Sequence, residues 1–232
     1  ALIIDPVWRL TEPPPLPRVV SPGARQLAVA WFHRAMTPGM LALAGLIFCY
    51  RLGDQMVSSL ITPFLIDQGV DKPTIALMKG AMGSSTSLLG AVLGGWLTLR
   101  TGRRQVLLVC GLMQAATFCL YIAAAQGLGD HRLLWAATVL EGVIGTMASV
   151  ALFTLMMDAS DPAHAGTDYT LLASVVVLVG SLGGLLGGVL GDQWGYAAAF
   201  GTGTVLSALG CVFLVGWLDR HPTHERVAQA WR

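Results

Sequence analysis

The sequence predicts an all-α, polytopic membrane protein of six transmembrane helices arranged as two inverted three-helix repeats. Hydrophobic residues make up 54% of the chain and charged residues 12%, the latter about half their share in an average soluble domain. Apolar stretches of about 20 residues or more, the length that crosses hydrocarbon at a helical rise, recur between short polar turns. Charge-bearing, glycine-dense and charge-free stretches then follow one another twice in the same order, the pattern that two three-helix repeats produce.

Residues 1–37 differ from the rest. Pro13, Pro14, Pro15 and Pro17 favour an extended linker. Leu27, Trp31 and Arg34 then recur at helical spacing over 24–36, as in a short amphipathic helix lying on a membrane surface. His33 there reads as interfacial rather than catalytic. The expected organisation is a cytoplasmic linker at 1–37, a six-helix transmembrane domain at 38–219 and a cytoplasmic tail at 220–232. The chain begins with Ala and shows no signal-peptide pattern, so a fragment or one half of a longer chain is the expectation.

The first span, within 40–69, carries Arg51 and Asp54 near its middle. After the polar turn Asp67–Lys72, Pro73 sits where a helix can begin. The second span, about 74–99, holds Lys79 and a run of glycines that includes Gly90 and Gly94, small residues that let membrane helices approach closely. A basic turn, Arg100-Thr101-Gly102-Arg103-Arg104, leads to a third span at about 105–126 without acidic or basic residues, which suits a lipid-facing helix. The fourth, about 133–157, carries Glu141. The fifth, about 168–191, repeats the glycine density with Gly184 and Gly188 among its members. A turn at Asp192–Gly195 precedes the charge-free sixth span at about 196–218.

A charge at the centre of an inserted helix costs roughly 2.5–3.5 kcal/mol even on the lenient insertion scale. Such residues therefore face protein or a wet cavity. Arg51 and Asp54, three residues apart, share a helix face and can neutralise each other. One reading is a structural ion pair that fixes helix rotation; the other is a solute path. On the second reading Arg51 and Lys79 meet an anionic solute and Asp54 and Glu141 carry protons, since a poorly solvated carboxylate favours its neutral form. For Lys79 the alternative is snorkelling to the interface, and for Glu141 a hydrogen bond to a neighbouring helix. Asp158 and Asp168 lie at helix ends, where capping and loop closure suffice.

Arginine and lysine set the orientation. The N-terminal stretch, the 100–104 turn and the C-terminal tail together hold most of the arginines, whereas the opposite segments hold only Lys72 and Arg132. Both termini are therefore expected in the cytoplasm. By helical rise, Asp54 and Glu141 then fall near mid-membrane, Lys79 nearer the outer surface and Arg51 nearer the inner one, so two cations and two carboxylates can share one cavity.

Other chemistries find little support. Cys49, Cys110, Cys119 and Cys211 lie in apolar stretches without metal-ligand spacing and read as packed thiols, and the five histidines are scattered; no metal or cofactor is expected. A near-zero net charge of +1 leaves no footprint for nucleic acid. Gly127-Leu128-Gly129-Asp130 matches the Gly-x-Gly-Asp pattern of intramembrane aspartyl proteases, but Asp130 falls in a turn and no Tyr-Asp pair occurs on another span. A purely structural subunit has no reason to carry four midplane charges.

The run Gly94-Gly95-Trp96-Leu97-Thr98-Leu99-Arg100-Thr101-Gly102-Arg103-Arg104 between the second and third spans, with the three-helix period, resembles the C-terminal six-helix half of a major facilitator superfamily transporter. It looks like that family's cytoplasmic loop motif, without the usual acidic residue before the first arginine. Tyr50-Arg51-Leu52-Gly53-Asp54, Pro63-Phe64-Leu65, Thr154–Asp158 and His164–Thr170 look like the branch that contains the anhydromuropeptide permease and the ferric-siderophore permeases of the rhizobactin and pyochelin type.

The resemblance implies a secondary transporter of the bacterial inner membrane, not an enzyme, which imports a ferric siderophore by proton-coupled alternating access; an anhydromuropeptide or other small-solute permease is the alternative. It implies a small-molecule substrate, a lipid bilayer and a missing N-terminal six-helix half as partners. It places Tyr50, Arg51 and Lys79 at the substrate, Asp54 and Glu141 in proton coupling, and Arg100, Gly102, Arg103 and Arg104 in a conformational loop. Gly90, Gly94, Gly184 and Gly188 would be packing positions on spans that meet the missing half, with the first and fourth spans lining the cavity and the third and sixth facing lipid.

Overall fold

A computed structural model describes residues 24–128 and 131–220. Residues 24–34 belong to a unit of their own, distinct from the compact unit that begins at Ala35. The first holds α1 (Ala24–Ala35), where an amphipathic helix is expected; Trp31 and Phe32 on it are exposed.

The second unit is a bundle. Pro38 opens α2 (Pro38–Asp67), the position where a fixed φ and a missing N–H suit a helix start. Next comes α3, which spans 72–101 in three contiguous pieces: an α-helical turn Lys72–Ala76, a π-helical segment Leu77–Met82 and the helix Gly83–Thr101. Helices α4 (Arg103–Ala125) and α5 (His131–Ala159) follow. The continuous helical run Ala165–Arg220 is broken at Gly195, with φ 79° and ψ 167°, so it forms two helices, α6 (165–194) and α7 (196–220). Six membrane-length helices thus stand where six spans are expected. Among the described residues, by length and composition alone, four helical segments suffice to cross a membrane, the last of them being α6 and α7 together. The remaining span is α3, whose regular part is diluted by serine, threonine and glycine.

The helix pairings repeat. Glycines of α6 and α7 pack against α2, while α3 and α4 pack against α5, and α4 packs against the α6–α7 run. Exchanging the first three helices for the last three leaves this set unchanged, as a two-repeat architecture requires. The backbone repeats as well: Gly102 between α3 and α4 (φ 85°, ψ 157°) matches Gly195 between α6 and α7. Both occupy a region that only glycine enters readily.

Close approach explains several of the glycines. A Cβ at Gly90 would lie 2.4 Å from the Val143 carbonyl oxygen, and one at Gly94 would lie 2.8 Å from Met147 Cα, so these two seat α3 on α5. On α6 the tight positions are Gly180, against the Gln55 amide nitrogen, and Gly183 and Gly187, where a Cβ would come within 2.8 Å of Gln55 Cβ and of the Met56 carbonyl oxygen on α2. Gly184 has only an ordinary contact with Ser59, and Gly188 faces open space; both sit one residue off the packing stripe. Part of each glycine face is thus used inside this six-helix unit, while Gly80, Gly95 and Gly188 meet open space within it. Among the described residues the cysteines are all free, and Cys119 is exposed rather than packed.

Two apolar clusters fill the interior. One joins Leu43–Tyr50 of α2 to Val106–Cys110, Ala148–Ala159 and Cys211–Leu218. The other joins Val57–Leu65 to Phe118–Ala124, Leu134, Ala137, Ala199 and Phe200. Between them along α2, α4 and α5 lies a polar layer.

Candidate functional site

The layer opens as one cavity of about 300 Å³. Its wall is made of three polar stripes at helical spacing. Arg51, Asp54, Gln55 and Ser58 line it from α2, Lys79, Gly83 and Ser87 from α3, and Thr138, Glu141, Gly145, Thr146 and Ser149 from α5, with Gln114 reaching in from α4. Residues three or four apart share one helix face, so each stripe is one edge of its helix.

Arg51, Asp54, Lys79 and Glu141 all meet here, as two ion pairs. Arg51 Nη1 lies 2.6 Å from Asp54 Oδ2 on the same helix and also donates to Ser149 Oγ across the cavity at 3.3 Å. Gln114 Nε2 donates to the other Asp54 oxygen at 3.1 Å. Lys79 Nζ reaches Glu141 Oε2 at 3.4 Å between α3 and α5, and Ser58 Oγ approaches Glu141 Oε1 at 3.5 Å. Lys79 thus points to a carboxylate in the cavity.

Gln114 adds to the expectation of a lipid-facing third span, because it brings one polar side chain of that span into the cavity. It is 3% exposed, and Gly145 opposite it leaves the room its side chain occupies. A neutral amide carries no charge to flag it within an apolar span; a lone polar residue facing inward was the available signal. Likewise α3 lines the cavity through Lys79, Gly83 and Ser87 besides packing on α5. Gln55, Ser58, Thr146 and Ser149 also escape a search for charges alone, although their spacing with Arg51, Asp54 and Glu141 marks them.

Tyr50, expected beside the solute, is not among the lining residues. One residue before Arg51, it turns about 100° away around the helix. It is 5% exposed in the apolar cluster, near Gly111 of α4.

At one end of the bundle the basic turn is tied down. Arg103 pairs with Asp158 at the end of α5, with Nη2 3.0 Å from Oδ1. Arg104 makes a two-pronged pair with Asp219 near the end of α7, at 2.7 and 2.8 Å. Arg100 stacks on Trp96, 4.8 Å from the ring centroid. Asp168 accepts the Asp161 backbone N–H and closes the α5–α6 loop. At the other end Tyr196 donates to Asp67 at 2.5 Å. No cluster of three or more metal-ligating side chains occurs among the described residues. Asp130, weighed as a protease residue, lies outside them.

The arrangement can bind a polar solute and exchange its internal ion pairs for contacts to that solute. Known proteins provide a second line of observation. The Major Facilitator Superfamily profile matches residues 43–232. A Rickettsia conorii relative bearing the transporter name AmpG 4 is 27% identical, over 76% of this chain and 42% of its own length. The anhydromuropeptide permease of Escherichia coli is 30% identical over 133 residues, covering 56% of this chain and 27% of that protein. A crystal structure of a peptide transporter, POT, in complex with sulfate superimposes with a TM-score of 0.66 at 17% identity, over 83% of this chain and 39% of the other. The chain spans less than half the length of these relatives.

Proposed function

We infer the function from one premise: this chain belongs to the Major Facilitator Superfamily. It is a multi-pass membrane protein of the permease kind. We propose that it is the C-terminal half of a secondary transporter that moves an anhydromuropeptide or a similar sugar–peptide across the bacterial inner membrane, with both termini in the cytoplasm. A second six-helix half would complete the cavity and the solute path. Residues 1–37 would then be the linker between halves and 220–232 a cytoplasmic tail.

The observation that carries this reading is the meeting of four spans' polar residues, two cations and two carboxylates among them, in one cavity of about 300 Å³. Charges in membrane helices are costly and are retained where they serve a solute or ion path. In this reading Arg51 and Lys79 contact the solute, Asp54 and Glu141 exchange protons as their partners are taken by it, and the Arg100–Arg104 turn changes its contacts as the protein alternates between inward and outward states. The permease names of the relatives support the sugar–peptide cargo over the ferric siderophore expected from the Asp158–Thr170 stretch.

Uptake into cells carrying the full-length gene tests this directly, with a labelled anhydromuropeptide compared against radio-iron siderophores. Accumulation of the muropeptide is the expected result. Iron uptake without muropeptide uptake would reverse the choice of cargo.

A further inference from the structure

The two ion pairs of the cavity are built differently. Arg51 and Asp54 sit on one helix, 2.6 Å apart, with side chains 13% and 11% exposed, and Gln114 and Ser149 hold them. Lys79 and Glu141 come from separate helices, 3.4 Å apart, with side chains 32% and 17% exposed. Lys79 also rides on the π-helical segment Leu77–Met82, and such segments are frequent at functional sites. One pair is locked; the other is loose and reachable.

We propose that Lys79 and Glu141 form a subsite for an amphoteric amino-acid end group, whose carboxylate takes Lys79 and whose ammonium takes Glu141. This rests on reading the cavity as the solute path. A purely anionic group would draw Lys79 away and leave Glu141 uncompensated until it takes up a proton, and a purely cationic one would strand Lys79, which has no such escape while it stays charged. An uncompensated charge in a poorly solvated site is strongly unfavourable. A zwitterionic end group replaces one ion pair by two and strands neither partner. The hydroxyls of Ser58, Ser87 and Thr146 around the cavity can satisfy its remaining hydrogen bonds. At about 300 Å³ the space lies at the small end of ligand pockets, enough for an end group while the rest of a sugar–peptide extends toward the other half.

Binding to the purified full-length transporter tests the subsite with three probes: a tripeptide whose last side chain ends in a free ammonium and carboxylate, the same peptide acetylated there, and the same peptide amidated there. Each block is expected to weaken binding about tenfold or more, the loss of one favourable ion pair. Lys79→Gln should erase the discrimination against the amide and keep that against the acetylated probe; Glu141→Gln should do the reverse. Equal affinity of the wild type for all three probes, or no binding of any, overturns the proposal without relying on either variant, as does discrimination that survives both substitutions. Zwitterion binding without muropeptide uptake would remove the proposed cargo and leave the subsite standing. Uptake with indifferent binding would do the opposite.

Discussion

Gln114 Nε2 donates to Asp54 Oδ1 over 3.1 Å, and this one bond ties α4 to α2 beside the Arg51–Asp54 pair. Both residues are buried. Arg51 takes one oxygen of this carboxylate and Gln114 the other, so both oxygens are satisfied only while α2 and α4 keep this register.

Gln114→Leu should therefore destabilise the protein and impair uptake together. Removing the donor to a buried carboxylate costs about 1–3 kcal/mol. A thermal melt of the full-length protein in detergent reads the first effect and a transport assay the second; an unchanged melt would mean that the amide does not support Asp54.

Glycine substitutions should separate neighbours in sequence. Gly187→Ala puts a methyl 2.8 Å from the Met56 carbonyl oxygen, whereas Gly188→Ala places it in open space. Overpacking costs about 1–3 kcal/mol, so the first variant should melt earlier and the second like wild type. Equal melting of the two would mean that α6 is rotated from the orientation described.

The matched turns make a paired prediction. Gly102→Ala and Gly195→Ala each force a side chain into a conformation that costs of order 1–3 kcal/mol. Because the two glycines stand at equivalent places in the two repeats, similar losses of stability are expected, measured by the same melts. A loss confined to one would break the equivalence.

The two arginine pairs of the basic turn should differ in strength. Arg104 and Asp219 are 47% and 34% exposed, so a double-mutant cycle should return under about 1 kcal/mol, reduced further by salt. Arg103 and Asp158, at 28% and 23%, should couple more strongly and resist salt better. Equal coupling energies would contradict that order.

Much of this was legible in the sequence because membrane spans obey simple costs. An apolar run long enough to cross declares itself, and the four charges that interrupt such runs, Arg51, Asp54, Lys79 and Glu141, converge in the cavity. The turn at Asp192–Gly195 was also readable, although the helix continues so closely across it that only the backbone angles of Gly195 mark the break. What stayed hidden is helix rotation. Glycines occupy several faces of α6, so sequence does not say that Gly183 and Gly187 seat on α2 while Gly184 and Gly188 stay open within this unit. Tyr50 next to Arg51 suffers the same ambiguity by one residue. Gln114 was missed for a different reason: a polar residue within an apolar span marks it locally, but its partner lies 60 residues away, which no local pattern announces.

Ser149, which faces Arg51 across the cavity between α2, α3 and α5, reports most directly on whether that cavity carries the solute. In full-length protein with its native cysteines replaced, Ser149→Cys should react with a small water-soluble thiol reagent, and anhydromuropeptide should slow that reaction in proportion to its occupancy. A cysteine there that never reacts, or that reacts at the same rate with saturating solute, would contradict the account.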